Sequence, residues 1–412
     1  MSSTNVTLPS RLAMLRTIGP VLGIVGIALA VVLSAVFGNF QMFFHGTFYA
    51  FWILNGLCLG SMALIMIHHL TAGSWSFLAQ RVFEAFTRTL PIPAAMFLIV
   101  YLGAAFGWHD MYKGWMEPTS HVVERKAAYL NFPFWSARAA FYFIVWFTII
   151  HFFNKWSRDL QKTGDALITL KFRTWAPFAL ITYCLTMTFA AVDWGQSLDP
   201  EWFSTMYAPL TWVSQGLTTF AVTTLIMSQL QTEKPISRYI NVDHFHIFGT
   251  FMCGFIVLWT YMSFSQFLII WSGNLPEEIH YYLDRSKNQF YQAIILVMMV
   301  GHFLLPFMVL LQRRIKRNVT TLCWVAFWVL SMRLVDLFFW FTPAFHRGDT
   351  GLPVRDIFVY LSALVGFGGI FFWFFLGQLT KMPLLALNDP RLYEALSPGH
   401  GHGAGEEATE HA

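Results

Sequence analysis

Ten stretches of apolar residues, each long enough to cross a lipid bilayer, constrain the fold more than any other feature of this sequence. An α-helix needs about 20 predominantly apolar residues to span the hydrocarbon layer. The stretches that meet this requirement lie near residues 17–37, 43–67, 89–107, 134–154, 174–192, 208–230, 244–268, 289–312, 318–342 and 356–380. The sequence therefore predicts an all-α polytopic membrane protein with about ten transmembrane helices.

Composition supports the same fold class. The chain is 56% hydrophobic and only 12% charged, whereas soluble domains carry about 25% charged residues. The first apolar stretch follows Arg11 and Arg16, as a signal peptide would, but it is too long for a cleaved signal, so we predict a retained first span. The basic residues lie at helix ends, so nucleic acid is not an expected partner.

The distribution of Lys and Arg predicts the orientation. Seventeen of the 26 basic residues lie in the terminal segments and in the connections on their side, and seven lie on the other side. The positive-inside rule then places both termini in the cytoplasm. We predict a cytoplasmic tail (1–16), a ten-helix transmembrane domain (17–380) and a second cytoplasmic tail (381–412) with a disordered His-, Gly- and Glu-rich end. Residues 75–88 read as a short amphipathic helix at the cytoplasmic interface.

The cysteines exclude several metal centres. All four lie inside separate apolar stretches and form no C-x-x-C pair, which argues against covalent haem, thiolate iron–sulfur clusters and structural zinc. They are predicted to be buried packing thiols. The tail histidines are expected to bind metal only adventitiously. The cysteines are Cys58, Cys184, Cys253 and Cys323, and the tail histidines are His400, His402 and His411.

Arg333 and Asp336 are the sharpest candidates for function. They lie three residues apart inside span nine, on one helix face, where they can pair. At 1.5 Å per residue, Arg333 lies about 22 Å from the start of the span. Ionisable groups at membrane depth are costly and mark functional sites by default. The pair is either a proton relay or quinone anchor, or an ion pair that only fixes helix packing.

Other polar groups reach a similar depth from the non-cytoplasmic side. If their spans form one bundle, they line a path toward the middle of the membrane for protons or for contact with a quinone. For a single Ser, Thr or Gln, ordinary hydrogen bonding between helices is the simpler interpretation. These further candidates are His45, Arg138, Asp193, Gln215, Tyr261, Ser263 and Gln266.

A second set of candidates consists of histidines toward the cytoplasmic halves of the spans. A b-type haem would need two axial histidines at matching depth on neighbouring helices. The depths match poorly, and a cytoplasmic half of a proton path is an alternative use for protonatable imidazoles. The members of this set are His68, His69, His151, His246 and His302.

Three segments carry a resemblance to a known family. They read HHLTAGSW (68–75), DWGQSLDPEWFSTMYAPL (193–210) and YMSFSQFLIIWSGNLPEEIHYYLDR (261–285). Together with the ten-span layout, the chain resembles the ActF-type membrane subunits of bacterial alternative complex III over residues 40–395. More distantly, it is similar to the NrfD and polysulfide-reductase membrane-subunit family.

The resemblance implies two four-helix bundles plus flanking helices in the bacterial cytoplasmic (inner) membrane. It implies a non-haem subunit of a quinol:electron-acceptor (cytochrome c) oxidoreductase that is not catalytic alone. The implied partners are a paralogous NrfD-like membrane subunit, an extracytoplasmic iron–sulfur subunit, multihaem cytochrome c subunits, lipids and a terminal oxidase. Haem and iron–sulfur centres would lie in the partners, and menaquinone or ubiquinone is the cofactor that this subunit could contact.

Two other classes of function fit the sequence. A secondary transporter would also have about ten spans with polar groups at mid-depth, although transporters usually show Gly- or Pro-broken helices there. A structural anchor for extracytoplasmic redox subunits would explain the long connections 108–133, 193–207 and 269–288, which are rich in aromatic residues. Of these classes, the sequence favours the redox-complex subunit, with a quinone-site-like bundle or a proton path.

Overall fold

The protein is a bundle of ten long helices in a computed structural model, which describes residues 8–71, 74–118, 120–234, 236–346, 353–386 and 388–389. All ten are long and apolar enough to cross a membrane, so the chain is an all-α multi-pass membrane protein. They are α1 (Ser10–Val36), α2 (Gln41–Thr71), α3 (Gln80–Ala105), α4 (Phe132–Thr163), α5 (Ala166–Trp194), α6 (Tyr207–Leu230), α7 (Val242–Gly273), α8 (Gln289–Leu311), α9 (Val319–Phe345) and α10 (Val354–Leu379).

The helices form two groups of four. Helices α2 to α5 pack together, α6 to α9 form the second group, and α2 and α6 join the groups. In the most apolar segment of each helix, 83% of the residues of α2 and 89% of those of α6 are buried, against 22% for α7 and α8. The two most buried helices therefore form the centre, and α1 and α10 flank it. We call the end of the bundle where α1 begins the terminal face and the opposite end the loop face.

Glycines let α1 and α10 approach closely. A Cβ atom on Gly26 would lie 2.5 Å from the backbone nitrogen of Gly366. A Cβ atom on Gly366 would lie 2.5 Å from the backbone nitrogen of Ile27. No side chain fits in such a gap. Close backbone contact between small residues is a common way to associate helices in lipid, where no hydrophobic force drives association.

The helices at the terminal face are longer than the predicted spans. The connection predicted at 155–173 is almost entirely helical, because α4 ends at Thr163 and α5 begins at Ala166. Gly164 takes the left-handed conformation that ends α4, and Asp165 caps α5 by accepting a hydrogen bond from the Leu167 amide. Likewise, α1 begins inside the tail predicted at 1–16. Hydropathy marks only the part of a helix inside lipid, so it missed these extensions.

The prediction of a surface helix at 75–88 was wrong. The residues Gln80–Thr87 are helical, but all eight are buried, including Arg81 and Glu84. The amphipathic pattern arises because the polar face packs on α4 rather than on water. Arg81 and Arg88, which counted toward the positive-inside prediction, therefore point into the protein.

The structure tests the predicted burial of the four cysteines but not the prediction for the tail histidines. Cys58 is buried as predicted, but Cys184, Cys253 and Cys323 are only half-buried, because they lie on helix faces turned partly away from the core. All four are free thiols. The tail histidines His400, His402 and His411 lie outside the described residues.

The connections at the loop face pack on one another. The Trp202 ring stacks on Tyr281 with centroids 3.8 Å apart, and the Arg285 guanidinium lies 3.4 Å from the Tyr281 ring centroid. Asp199, 3.6 Å from His280, raises the pKa of that imidazole. The segments 193–210 and 261–285, which carry the resemblance, are thus in direct contact.

Candidate functional site

The Arg333–Asp336 ion pair lies near the middle of α9 and is fully buried. The Arg333 guanidinium donates to the Asp336 carboxylate, and their side chains are 5% and 0% exposed. Within the described residues, Nε of Arg333 and Oδ1 of Asp336 have no hydrogen-bond partner. A buried pair that only holds helices together normally satisfies its remaining polar atoms. The free donor and acceptor here leave room for a further ligand, a water or a proton.

Two tyrosines continue from this pair toward the loop face. The Tyr49 hydroxyl on α2 donates to the Leu334 carbonyl at 2.6 Å, and Leu334 directly follows Arg333 in α9. The Tyr49 ring stacks on the Tyr360 ring of α10 with centroids 5.2 Å apart. The Tyr360 hydroxyl is buried, and the Thr342 hydroxyl of α9 lies beside it. Helices α2, α9 and α10 therefore meet in a line of aromatic hydroxyls.

A carboxylate and an imidazole complete the line. Asp356 lies in the first turn of α10, four residues before Tyr360 and so on the same face, and it is 1% exposed. Its Oδ1 lies 3.1 Å from Nε2 of His346, which follows the end of α9. We call Tyr49, Tyr360, Asp356 and His346 the loop-face row. It joins the centre of the membrane region to the loop face.

His45 adjoins the end of this row. Its ring stacks on Phe345 with centroids 4.2 Å apart, and it lies 6.4 Å from the His346 ring. The residue is 2% exposed, and neither ring nitrogen has a partner among the described residues. The predicted candidate His45 therefore lies at the loop-face end of the row, and Arg333 and Asp336 lie at its other end.

A cleft of about 1180 Å³ reaches Arg333 from the other direction. It lies between α1, α2, α6, α9 and α10 and begins near Arg11 and Gln231 at the terminal face. Its wall is mostly apolar, with polar groups mainly on α6. Ser214 on that helix keeps a buried hydroxyl without a partner among the described residues. Besides Arg11, Arg333 and Gln231, the polar lining residues are Thr211, Ser214, Gln215, Thr218, Ser228, Gln229, Thr320 and Ser331.

Arg138 and Asp193 form a separate and saturated ion pair at the loop face. Arg138 donates from Nε and Nη2 to the two carboxylate oxygens of Asp193 at 2.7 and 2.8 Å. The Tyr142 hydroxyl donates to the same carboxylate at 2.7 Å, and the Arg138 guanidinium lies over the Tyr129 ring. With its lone pairs occupied in this way, Asp193 joins α4 to α5 and is a structural residue.

The remaining predicted candidates of the loop-face half are dispersed. Gln215 lines the cleft, but its carbonyl oxygen accepts from Tyr183 at 2.7 Å and so links α6 to α5. Tyr261 is 65% exposed and points away from the bundle. Ser263 is half-buried and Gln266 is buried on α7, and no hydrogen bond between described residues joins them to Arg333 or Asp336.

The histidines of the terminal half do not form one cluster. His68 shares a hydrogen bond with Ser76 at 2.5 Å, and His69 stacks on Phe172. His151 is exposed on α4, and His246 is half-buried on α7 beside basic residues of the 313–317 segment. These histidines therefore lie in different places. His68 and His69 are inside the group α2 to α5, His151 is on the outside of that group, His246 is at the terminal face and His302 is at the centre.

His302 is the one member of this set near the central ion pair. It is fully buried and stacks on Trp259 with centroids 4.0 Å apart, and its neighbour Gly301 packs on Met332, the residue before Arg333. It lies within a π-helical turn, Met298–Leu304, that interrupts α8. Such turns often mark functional positions because they shift one side chain out of the helical register. His302 therefore extends the central site to α8, in the group of helices α6 to α9.

Sequence reasoning missed the loop-face row and a buried network on α3. Asp356 fell inside predicted span ten with Tyr360 one turn later, a spacing that could have been recognised. Glu84 could not be found in this way, because its segment was read as an interfacial helix. The Glu84 carboxylate accepts from Arg81 and Ser157 at 2.7 Å each, and this network ties α3 to α4.

The cleft reaches Arg333 from the terminal face, and the loop-face row begins at Tyr49, which bonds to the neighbouring residue Leu334. The row and the ion pair consist of groups that can gain, lose or relay a proton. Spaces between such groups can be bridged by ordered water. Comparison of the chain with protein-family models finds no matching model, and comparison with curated protein sequences finds no significant match.

Proposed function

We propose that this chain is a proton-conducting membrane subunit of a quinol-oxidising electron-transfer complex. The observation that carries the proposal is that the cleft reaches Arg333 of the buried Arg333–Asp336 pair, while the loop-face row begins at Tyr49, which bonds to the neighbouring residue Leu334. Titratable groups at membrane depth cost free energy to bury, and where they occur they commonly form proton relays. The resemblance to the ActF-type subunits supports the electron-transfer setting.

In this proposal, Asp336 is the central proton carrier. Its free oxygen, Oδ1, is where a proton arriving from the cleft would bind. The proton then leaves along Tyr49 and Tyr360 to Asp356 and His346. Asp356 lies in the first turn of α10, at the loop-face end of the row, where the proton would leave the membrane region.

A quinone contact is the second candidate, and the shape of the cleft favours it. An apolar cleft with a few directed polar groups is the usual form of a site for an amphipathic cofactor. Arg333 and Ser214 could donate hydrogen bonds to a quinone oxygen, and the apolar walls of α1 and α10 could hold the isoprenoid chain. A bound quinol would supply two protons and two electrons. The menaquinone or ubiquinone of the membrane would fit this description.

The loop face supplies the surface that redox partners would need. Trp108 and Phe203 are more than half exposed there, next to the packed connections that carry the resemblance. Exposed aromatic residues of this kind often mark protein interfaces. We propose the iron–sulfur and cytochrome c subunits as the occupants, with the paralogous membrane subunit beside the bundle in a bacterial inner membrane and both termini cytoplasmic.

Purification of the tagged chain from its native membrane tests the proposal. We expect it to bring c-type haem, iron–sulfur proteins and quinol:cytochrome c reductase activity in one preparation, with the metal centres in other polypeptides. A colourless and monodisperse single polypeptide would instead favour the secondary transporter. If haem and iron–sulfur partners co-purify but changes at the central site do not affect proton movement, the chain is a structural anchor.

A further inference from the structure

We propose that a groove at the terminal face, between α3, α4 and α10, binds the phosphate headgroup of an anionic phospholipid. The groove has a volume of about 400 Å³. One end is cationic and the other is apolar, as a lipid headgroup with its acyl chain requires. The lining residues that carry the argument are Arg88, Asn154 and Arg158 at the cationic end and Phe147 and Ile150 at the apolar end.

Arg88 provides a fixed positive charge. Its Nη1 donates to Oδ1 of Asn154 at 2.8 Å, and its Nη2 donates to the Gln378 carbonyl at 3.3 Å. The nearest carboxylate, that of Glu84, is 3.8 Å away. Glu84 is already held at 2.7 Å by Arg81, so it neutralises one of these two arginines and leaves one positive charge uncompensated.

Arg158 provides the second charge, and it is free to bind. It is exposed, and it makes no hydrogen bond or ion pair with any described residue. Arg158 and Arg88 line the same groove. Two guanidinium groups that face one groove favour an anion between them, and the planar guanidinium matches phosphate oxygens in a bidentate arrangement.

The apolar wall favours a phospholipid over free phosphate. Phe147 and Ile150 lie on the same face of α4 as Arg158 and extend about 16 Å from it toward the membrane centre, at 1.5 Å per residue. Basic pockets between transmembrane helices are known sites for anionic headgroups. This site shares no residue with the cleft or the loop-face row, so it does not depend on the proposed proton path.

Native mass spectrometry of the purified full-length protein tests the site. The protein is mixed with equal concentrations of phosphatidylglycerol and phosphatidylcholine that have the same acyl chains. We expect the wild type to prefer phosphatidylglycerol. Arg158→Ala should weaken its binding about fivefold, which corresponds to about 1 kcal/mol for one basic residue near the surface. Arg158 is exposed, so this variant should fold normally.

Arg173→Ala is the matched control. Arg173 is exposed in the first turns of α5, makes no hydrogen bond with any described residue and does not line the groove. The same loss of charge there should leave phosphatidylglycerol binding unchanged. Equal binding of both lipids by the wild type, equal losses in the two variants, or displacement of phosphatidylglycerol by an equal concentration of inorganic phosphate would each overturn the proposal.

Discussion

Replacing Asp336 by Asn should lower proton flux through this protein roughly 100-fold, the lower end of what a positioned proton-transfer group contributes. The amide keeps the size of the side chain and can still accept a hydrogen bond from Arg333, but it cannot carry a proton at neutral pH. The measurement is proton uptake into proteoliposomes, driven by a potassium diffusion potential and read with an enclosed pH dye. Asp336→Glu retains the acid and should preserve measurable flux.

Two further variants separate transport from folding. Asp336→Asn leaves Arg333 without its counter-charge, and removing one partner of a buried pair destabilises proteins by about 3–5 kcal/mol. The double variant Arg333→Met/Asp336→Leu removes both charges, so it should fold and still fail to conduct. Asp243→Asn makes the same charge change at an exposed carboxylate, which pairs with Arg317, and should conduct normally. Wild-type flux in a well-folded Asp336→Asn protein would make Asp336 a packing residue.

Asp193→Asn should have the opposite profile, a large loss of stability with no loss of proton flux per folded molecule. The Asp193 carboxylate is fully buried and takes two hydrogen bonds from Arg138 and one from Tyr142. Neutralising it leaves the Arg138 charge largely buried without a partner, which should cost about 3–5 kcal/mol. The measurement is thermal unfolding in detergent, with the same flux assay on the folded fraction.

The double variant Arg138→Met/Asp193→Leu provides the control for this second prediction. Replacement of a whole buried ion pair by apolar residues of similar volume is often neutral or stabilising. Most of the lost stability should therefore return. If Asp193→Asn instead unfolds like the wild type and loses proton flux, Asp193 belongs to the conducting path and the assignment of its role is wrong.

Hydropathy was enough to predict the ten helices, because each apolar stretch has to satisfy its backbone hydrogen bonds internally in lipid. The same logic placed Arg333 and Asp336 on one face of a single helix. Hydropathy could not predict the helical extensions into water at Thr163 and Ala166, since no lipid constrains those residues. It also misread the segment at Glu84, where the polar face is covered by protein.

The partners of each candidate were beyond the reach of the sequence. Asp193 and Arg138 were both candidates for a proton path, yet they pair with each other, and pairing between α4 and α5 depends on how those helices rotate. Tyr49 and Tyr360 lie on helices that are distant in sequence, and neither residue is unusual in an apolar span. Only the packing of α2, α9 and α10 brings them into one row.

The most direct test of the proton path is the flux through Asp356→Asn alone and in combination with Asp336→Asn, in the same proteoliposomes. Asp356 lies at the loop-face end of the row, far from Asp336 along the proposed route. If both residues serve one path in series, each single variant should lower the flux, and the double variant should be only slightly slower than the slower single variant, because resistances in series add. Wild-type flux through a folded Asp356→Asn protein, or losses that multiply in the double variant, would contradict the path.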